Sequence, residues 1–397
     1  MHAYVLDWLG LIVRWFHVTA GIAWIGASFF FVWLDDNLNR AVTDAEKRRG
    51  TDGELWSVHG GGFYHNEKYL MGPVGEPLSN HLHWFYWEAY STWLSGIAML
   101  AVVYWAGAST FLIDKSVMDL TPLEAIGISI ASIVLGWFVY DVLNRMFEKN
   151  EFVLWTSIGI FLLIFDWGLF HIFGARAAFI HVGAVIGTIM VWNVFFIIIP
   201  GQRKVVRQLR ASEVPDTRPG FLGKQRSVQN TYFTLPVLFI MISNHYPMTY
   251  SGPYGWLVLA GLSIAGVLVR RFYVLTHFRK VVIALPVAAM ILLAIIAWAI
   301  APRTPSTTGP TVSYAAVAPI VAQRCAVCHA AHPAQAGFST APAGVLLDTP
   351  EHITANAALI RAQAVTTHAM PLGNLTNMTD AERTTLGAWI DSGAKGP

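Results

Sequence analysis

Charge is scarce in this chain. Lys, Arg, Asp and Glu make up 13% of the 397 residues, where a soluble globular protein carries roughly a quarter. Hydrophobic residues make up 55%, and mean hydropathy is +0.49. That balance excludes an ordinary soluble domain and indicates a membrane protein set in a lipid bilayer. The net charge is only +2, so no polyanionic partner and no nucleic acid is expected. Cysteine is rarer still, with two residues in all. Both fall in one short motif, which leaves no disulfide framework. A structural zinc site would need more thiolate or imidazole ligands at regular spacing. The eleven Met are scattered, unlike the Met-rich or Cys-rich ligand sets that handle soft Cu(I). The first apolar stretch is too long for a cleavable signal peptide and lacks a small-residue cleavage site.

What is present begins with that motif, Cys325-Ala-Val-Cys-His329, the attachment signal for c-type haem. Two thiols three residues apart reach the two vinyl groups of one porphyrin. The next residue, His329, then lies under the iron as a ligand. Met370 stands 41 residues beyond His329, in His-Ala-Met-Pro-Leu-Gly-Asn, and is the expected sixth ligand. A His/Met pair raises the reduction potential and suits electron transfer. Pro371 fixes the backbone beside the sulfur. His332, His352 and His368 are the rival ligands. The amphipathic segment 380–393 completes a likeness to class I cytochromes c. Covalent haem attachment implies maturation on the outer face of an energy-transducing membrane.

Apolar runs of spanning length, about twenty residues, occur near 9–34, 84–107, 123–143, 151–171, 177–200, 230–248, 254–275 and 281–300. The expected fold is therefore all-α: an eight-helix membrane bundle over 1–300, a Pro/Ser/Thr/Gly linker over 301–313, and a small helical cytochrome domain over 314–397. The segments 35–83, 144–150 and 201–229, with the seventh-to-eighth turn and its flanks, carry eighteen Lys and Arg, against two in the intervening loops. By the positive-inside rule both termini and the cytochrome domain lie outside, in the periplasm. A faint likeness between Phe16-His-Val-Thr-Ala-Gly and Ile180-His-Val-Gly-Ala-Val suggests four plus four helices in tandem. The inner segment 35–83 mixes glycine, aromatics and imidazole, and reads as either a folded cap or a mobile loop. Its His59, His65, His81 and His83 lack metal-site spacing.

Polar groups inside membrane helices are where function is expected. Arg14 and His17 on the first helix, Asp166 on the fourth, His181 on the fifth and His245 after the sixth fall at one level, in the outer half of the bilayer. One reading makes them a catalytic or haem-bearing pocket, including a haem b held between His17 and His181. The other makes each His a singly satisfied interhelical hydrogen-bonder, with Arg14 paired to Asp166.

Trp15-Phe-His-Val-Thr-Ala-Gly-Ile-Ala-Trp-Ile-Gly26, Gly60-Gly-Gly-Phe-Tyr64, 77–87 and Ser243-Asn-His-Tyr-Pro247, followed by the Cys-x-x-Cys-His tail, resemble the bacterial membrane-bound, cytochrome c-linked urate oxidases. The resemblance implies an inner-membrane enzyme of purine catabolism. Urate and water would give 5-hydroxyisourate, two protons and two electrons, the electrons passing through haem c to a downstream cytochrome or terminal oxidase. It also implies that Cys325, Cys328, His329 and Met370 hold the haem. Urate is an anion, for which Arg14 is a natural partner, and the attacking water needs a base working near neutral pH, for which imidazole serves. The alternative is a membrane-anchored electron-transfer cytochrome subunit of another respiratory oxidoreductase.

Overall fold

The computed structural model describes residues 2–40, 43–277, 280–301 and 312–397. Helix α1 (His2–Asn37) leads into a short α2 (Asp44–Arg49). A capping box between Thr43 and Glu46 starts α2, and Gly50 at φ 86° ends it. Two antiparallel strands follow, β1 (Thr51–His59) and β2 (Gly62–Tyr69), with Trp56 opposite His65. Helix α3 (Trp87–Met99) then runs into a π-helical turn over Leu100–Trp105, and α4 (Ala108–Phe111) follows. Next come α5 (Pro122–Phe147), α6 (Glu151–Phe170) and α7 (Ala175–Trp192), the last continued by a π-helical turn over Asn193–Ile198 and by α8 (Ile199–Arg210). Helices α9 (Arg218–Ser243), α10 (Gly255–His277) and α11 (Ala284–Ala299) complete the bundle. The tail carries α12 (Tyr314–Arg324), α13 (Pro350–Ala355), α14 (Ala357–Ile360) and α15 (Asp380–Asp391).

Among the described residues, five stretches are long and apolar enough to cross a membrane: Tyr4–Asn37, Pro122–Phe147, Glu151–Phe170, Ala175–Arg210 and Gly255–Thr276. All eight apolar segments expected from the sequence are helical, and the other three differ in identifiable ways. Helix α3 yields to the π turn after 13 residues. The first turns of α9 carry Arg218, Lys224 and Arg226. Helix α11 is apolar but only 16 residues long.

The all-α expectation fails at the β1–β2 hairpin. Gly60 and Gly61 lie at φ 59° and 81°, the left-handed pair that a two-residue hairpin turn demands. Segment 35–83 is therefore a folded cap. Arg40 pairs with Asp52 at 2.6 Å, Lys68 pairs with Asp35, and Gly72 packs against Leu209. The basic segments meet at this same end. Lys224 reaches Asp35 at 3.1 Å and Arg218 reaches Glu148 at 3.0 Å, while Arg203 lies 6.0 Å from the Trp84 ring centre. We call this the basic end, and the opposite one, from which the tail emerges, the tail end.

Helix α7 is the centre of the bundle. It packs on α3, α5, α6 and α9, with Val185, Ile186 and Ile189 buried. Glycines let the neighbours close in, as small residues do at helix contacts in membranes. A Cβ on Gly136 would lie 2.5 Å from Val185, and one on Gly183 would lie 2.5 Å from Ile240. Large apolar side chains such as Leu123, Phe138, Phe152 and Ile164 are exposed on the outside, as expected where lipid is the solvent. The tail has its own core, in which Val317, Val321, Leu386 and Trp389 are buried. Most of the expected linker, 302–311, lies outside the described residues.

Close helix approach gives a direct test. Gly136→Val should destabilise the bundle by about 1–3 kcal/mol through overpacking. Gly127→Val, on the same helix with nothing within 4 Å, should leave the melting temperature in detergent nearly unchanged. Equal melting of the two variants would contradict this packing.

Candidate active site and candidate haem site

His181 sits on the first turns of α7 with no exposed surface. Its Nε2 lies 2.6 Å from Ser129 Oγ on α5, and its Nδ1 lies 2.7 Å from Ala177 O. Trp105 Nε1 donates to the same Ser129 oxygen at 2.9 Å. The Ala177 carbonyl can only accept, so Nδ1 donates to it, and in the neutral ring Nε2 accepts from the serine hydroxyl. The proton of the neutral imidazole therefore sits on Nδ1. Both ring nitrogens are thus engaged. Phe173 lies 4.7 Å and Tyr104 6.2 Å from the His181 ring, centre to centre.

Tyr104 comes from the π-helical turn Leu100–Trp105, a distortion that often marks functional positions. It is 5% exposed, and its hydroxyl has no hydrogen-bond partner. Arg176 and Asn244 face it, and Arg14 lies on the same side. Arg176 Nε donates to Asn244 Oδ1 at 3.0 Å, while its guanidinium lies 5.9 Å from the Phe111 ring centre. Tyr104, Arg176 and Asn244 form a polar cluster that sequence reasoning passed over. Arg176 was visible as the lone cation of a tight hairpin, and Asn244 as the neighbour of His245.

Among the described residues, no hydrogen bond or ion pair joins any two of Arg14, His17, Asp166, His181 and His245. Arg14 is exposed on α1. His17 is half-buried, its Nδ1 3.0 Å from both Thr92 O and Ser95 Oγ. Asp166 is 3% exposed, and its Oδ1 has no partner, so the Arg14–Asp166 pair does not form. His245 is exposed. A haem between His17 and His181 does not fit this arrangement, because His181 has no nitrogen to offer and His17 leans on α3. The tandem-repeat reading finds no echo in the partners of the two histidines, since His17 bonds to the helix after its own and His181 to one before.

A second polar group lies toward the basic end. Arg226 and Arg145 both pair with Asp141 at 2.6 Å. Gln229 Nε2 donates to Asn144 Oδ1 at 2.7 Å. Asn193, at the start of the second π turn, donates to Tyr140 at 2.8 Å and to Asn230 at 3.0 Å. This network ties α5, α7 and α9 together where no water is available to satisfy them. Among the described residues, no group of three His, Cys, Asp or Glu is placed to hold a metal ion. In the cap, His65 is bonded to Glu54 at 2.6 Å and stacked on Trp56.

In the tail, Cys325 and Cys328 are unpaired and half-buried. His329 Nδ1 lies 3.0 Å from Val345 O. That bond fixes the ring and leaves Nε2 free, the arrangement an axial imidazole needs. Met370 packs against the tail's core, and its carbonyl accepts from Arg383 Nη1 at 2.6 Å. Of its rivals, His332 and His368 are exposed, and His352 is engaged with Asp348 at 2.7 Å. The donor set fits a haem held by Cys325, Cys328, His329 and Met370. The loop after Met370 docks on the bundle. A Cβ on Gly373, which has φ +56°, would lie 2.7 Å from Ile113 O and 3.3 Å from Thr110 O. Phe338 packs on Phe111 with ring centres 6.4 Å apart. Phe111 therefore touches both the tail and Arg176.

The family model described as urate oxidase N-terminal matches residues 3–301. No curated protein matches the chain. No solved structure matches it.

Thiol reactivity should report the environment of the attachment site. Burial pushes the Cys325 thiol up to about 11, against the opposing pull of the Arg383 charge. Burial raises the less enclosed Cys328 as well. Since the thiolate is the nucleophile, Cys328 in haem-free protein should be alkylated first at pH 8. Alkylation of Cys325 should quicken about tenfold per pH unit until pH nears 11. Equal rates at pH 8 would contradict the burial of Cys325.

Proposed function

Since the chain belongs to the urate oxidase N-terminal family, we propose that it is a membrane-embedded urate oxidoreductase passing its electrons to a haem c on its own tail. Urate and water give 5-hydroxyisourate, two protons and two electrons. The chain would lie in a bacterial inner membrane with all eight helices crossing and both termini in the periplasm, serving purine catabolism. A downstream cytochrome or terminal oxidase would take the electrons onward.

The docking of the Met370–Asn374 loop carries this reading. It sets the Met ligand's own loop against Thr110 and Ile113, one ring away from Arg176 and the buried Tyr104. Haem c, once attached, supplies a one-electron acceptor at that junction. The chain's own residues have three tasks. Arg14 is the exposed cation at the tail end, and His245 is exposed there too, where an anion would approach. The attacking water must lose a proton to a base working near neutral pH. Both nitrogens of His181 are already bonded, to Ser129 and to Ala177, so the exposed imidazole of His245 is the base offered at this end. Asp166 is the buried carboxylate there with an unpartnered oxygen. His17, held by Ser95, keeps α1 on α3.

Oxidation without oxygen is the test. Purified holoprotein should consume urate anaerobically with ferricyanide as acceptor, two ferricyanides per urate, and form no peroxide in air. Strict dependence on oxygen would refute the proposal. Gly373→Val should undock the tail and slow reduction of haem c by urate by about tenfold to a hundredfold. Reduction by ascorbate should be unaffected. A Gly373→Val protein reduced by urate at the wild-type rate would remove the docked loop from the electron route.

A further inference from the structure

We infer that the start of α7, with Arg176, Asn244 and Tyr104, is the clamp that holds the substrate as an anion. The inference rests on the urate reading for the ligand's name, and on four separate features for the site itself.

The first feature is the helix end. Helix α7 begins at Ala175 after Gly174, whose side gives no capping hydrogen bond. The opening N–H groups of a long helix carry a partial positive charge and favour anions. The second is Arg176, half-buried in the first turn. Among the described residues its well-aligned hydrogen bond is from Nε to Asn244, so the terminal nitrogens remain for a planar, bidentate partner. The third is Asn244. Its oxygen serves Arg176, which orients the amide and leaves two N–H donors.

The fourth feature itself points to a ligand. The Tyr104 hydroxyl is removed from water and lies beside Arg176 and Asn244 without a well-aligned hydrogen bond to either. A buried polar group left unpaired is costly. A ring that presents carbonyl oxygens and ring N–H groups would satisfy it. A simple carboxylate or phosphate could also accept from Arg176 and Tyr104, but the planar guanidinium edge and the neighbouring Phe111 ring favour a flat anion. A monoanionic oxopurine offers both an acceptor edge for Arg176 and a polar edge for Tyr104. Phe111 supplies an apolar ring beside the guanidinium, and beyond it lies the docked tail.

Urate binding can be read apart from turnover by reducing haem c first, so that bound urate has nowhere to send electrons. Equilibrium dialysis of ascorbate-reduced holoprotein against labelled urate, without oxygen, should give one site per chain. Arg176→Gln should weaken it about tenfold or more, and Arg176→Lys by less, since charge is kept but the fork is lost. Tyr104→Phe, which removes only a hydroxyl and is the safer variant for folding, should weaken it several-fold. Arg203→Gln at the basic end should bind as wild type does. Each variant should keep the wild-type haem spectrum. If Tyr104→Phe and Arg176→Gln bind urate as tightly as wild type, the clamp is elsewhere, and urate oxidation still stands. If wild type neither binds urate nor reduces its haem with it, the functional reading falls and the clamp with it.

Discussion

A helix bundle that faces hydrocarbon has no water with which to satisfy a polar side chain, so each one must find its partner inside the protein. This constraint arranges the molecule. Polar groups gather in two places, and the long middle of α7 between them is packed with Val185, Ile186 and Ile189. Toward the basic end Asp141 pairs with Arg226 and Arg145, and Gln229 bonds to Asn144, while Arg226 Nε and Nη1 and Asn193 Oδ1 are left without a partner. Breaking such a buried pair is more damaging than its presence is stabilising, which suits a strut between helices. At the tail end Tyr104 and Asp166 each keep a buried oxygen without a partner, and Arg176 keeps most of its donors.

What tells the two ends apart is the buried ion pair: Asp141 has its cations, and Asp166 has none among the described residues. The tail end, where Tyr104 and Asp166 keep buried oxygens without a partner, is the one on which the tail docks. The tail in turn fixes its candidate haem ligands by hydrogen bonds that do not depend on the bundle: His329 through Val345, and Met370 through Arg383. Its docking uses backbone atoms of Thr110 and Ile113 against a glycine. That close approach would be lost with any larger residue at 373.

Much of this was legible in the sequence, for physical reasons. Haem attachment needs its residues adjacent in the chain, so Cys325, Cys328 and His329 declare themselves as candidates without a fold, and the structure holds them in an arrangement that fits. Spanning helices need long apolar runs, and all eight expected runs are helical. The hairpin in segment 35–83 was harder to read, because its signal is two glycines in a turn between strands that mix polar and aromatic residues. The polar sites were harder still. Arg14 and Asp166 share a depth, but α1 packs chiefly on α3, and α6 packs on α5, α7 and α10, so depth alone did not make them partners. At the end of α9, Asn244 turns toward Arg176 while His245 is exposed. Periodicity cannot resolve two adjacent residues at a helix end. Tyr104 lay in an apolar run, and only the π turn shows why it differs from its neighbours.

Intramolecular transfer from substrate to tail is the central claim, and anaerobic stopped-flow spectroscopy of oxidised holoprotein mixed with urate tests it most directly. The α-band of reduced c-type haem should rise at a rate independent of protein concentration, in step with the loss of urate absorbance. A haem c that ascorbate reduces but urate leaves oxidised would contradict it.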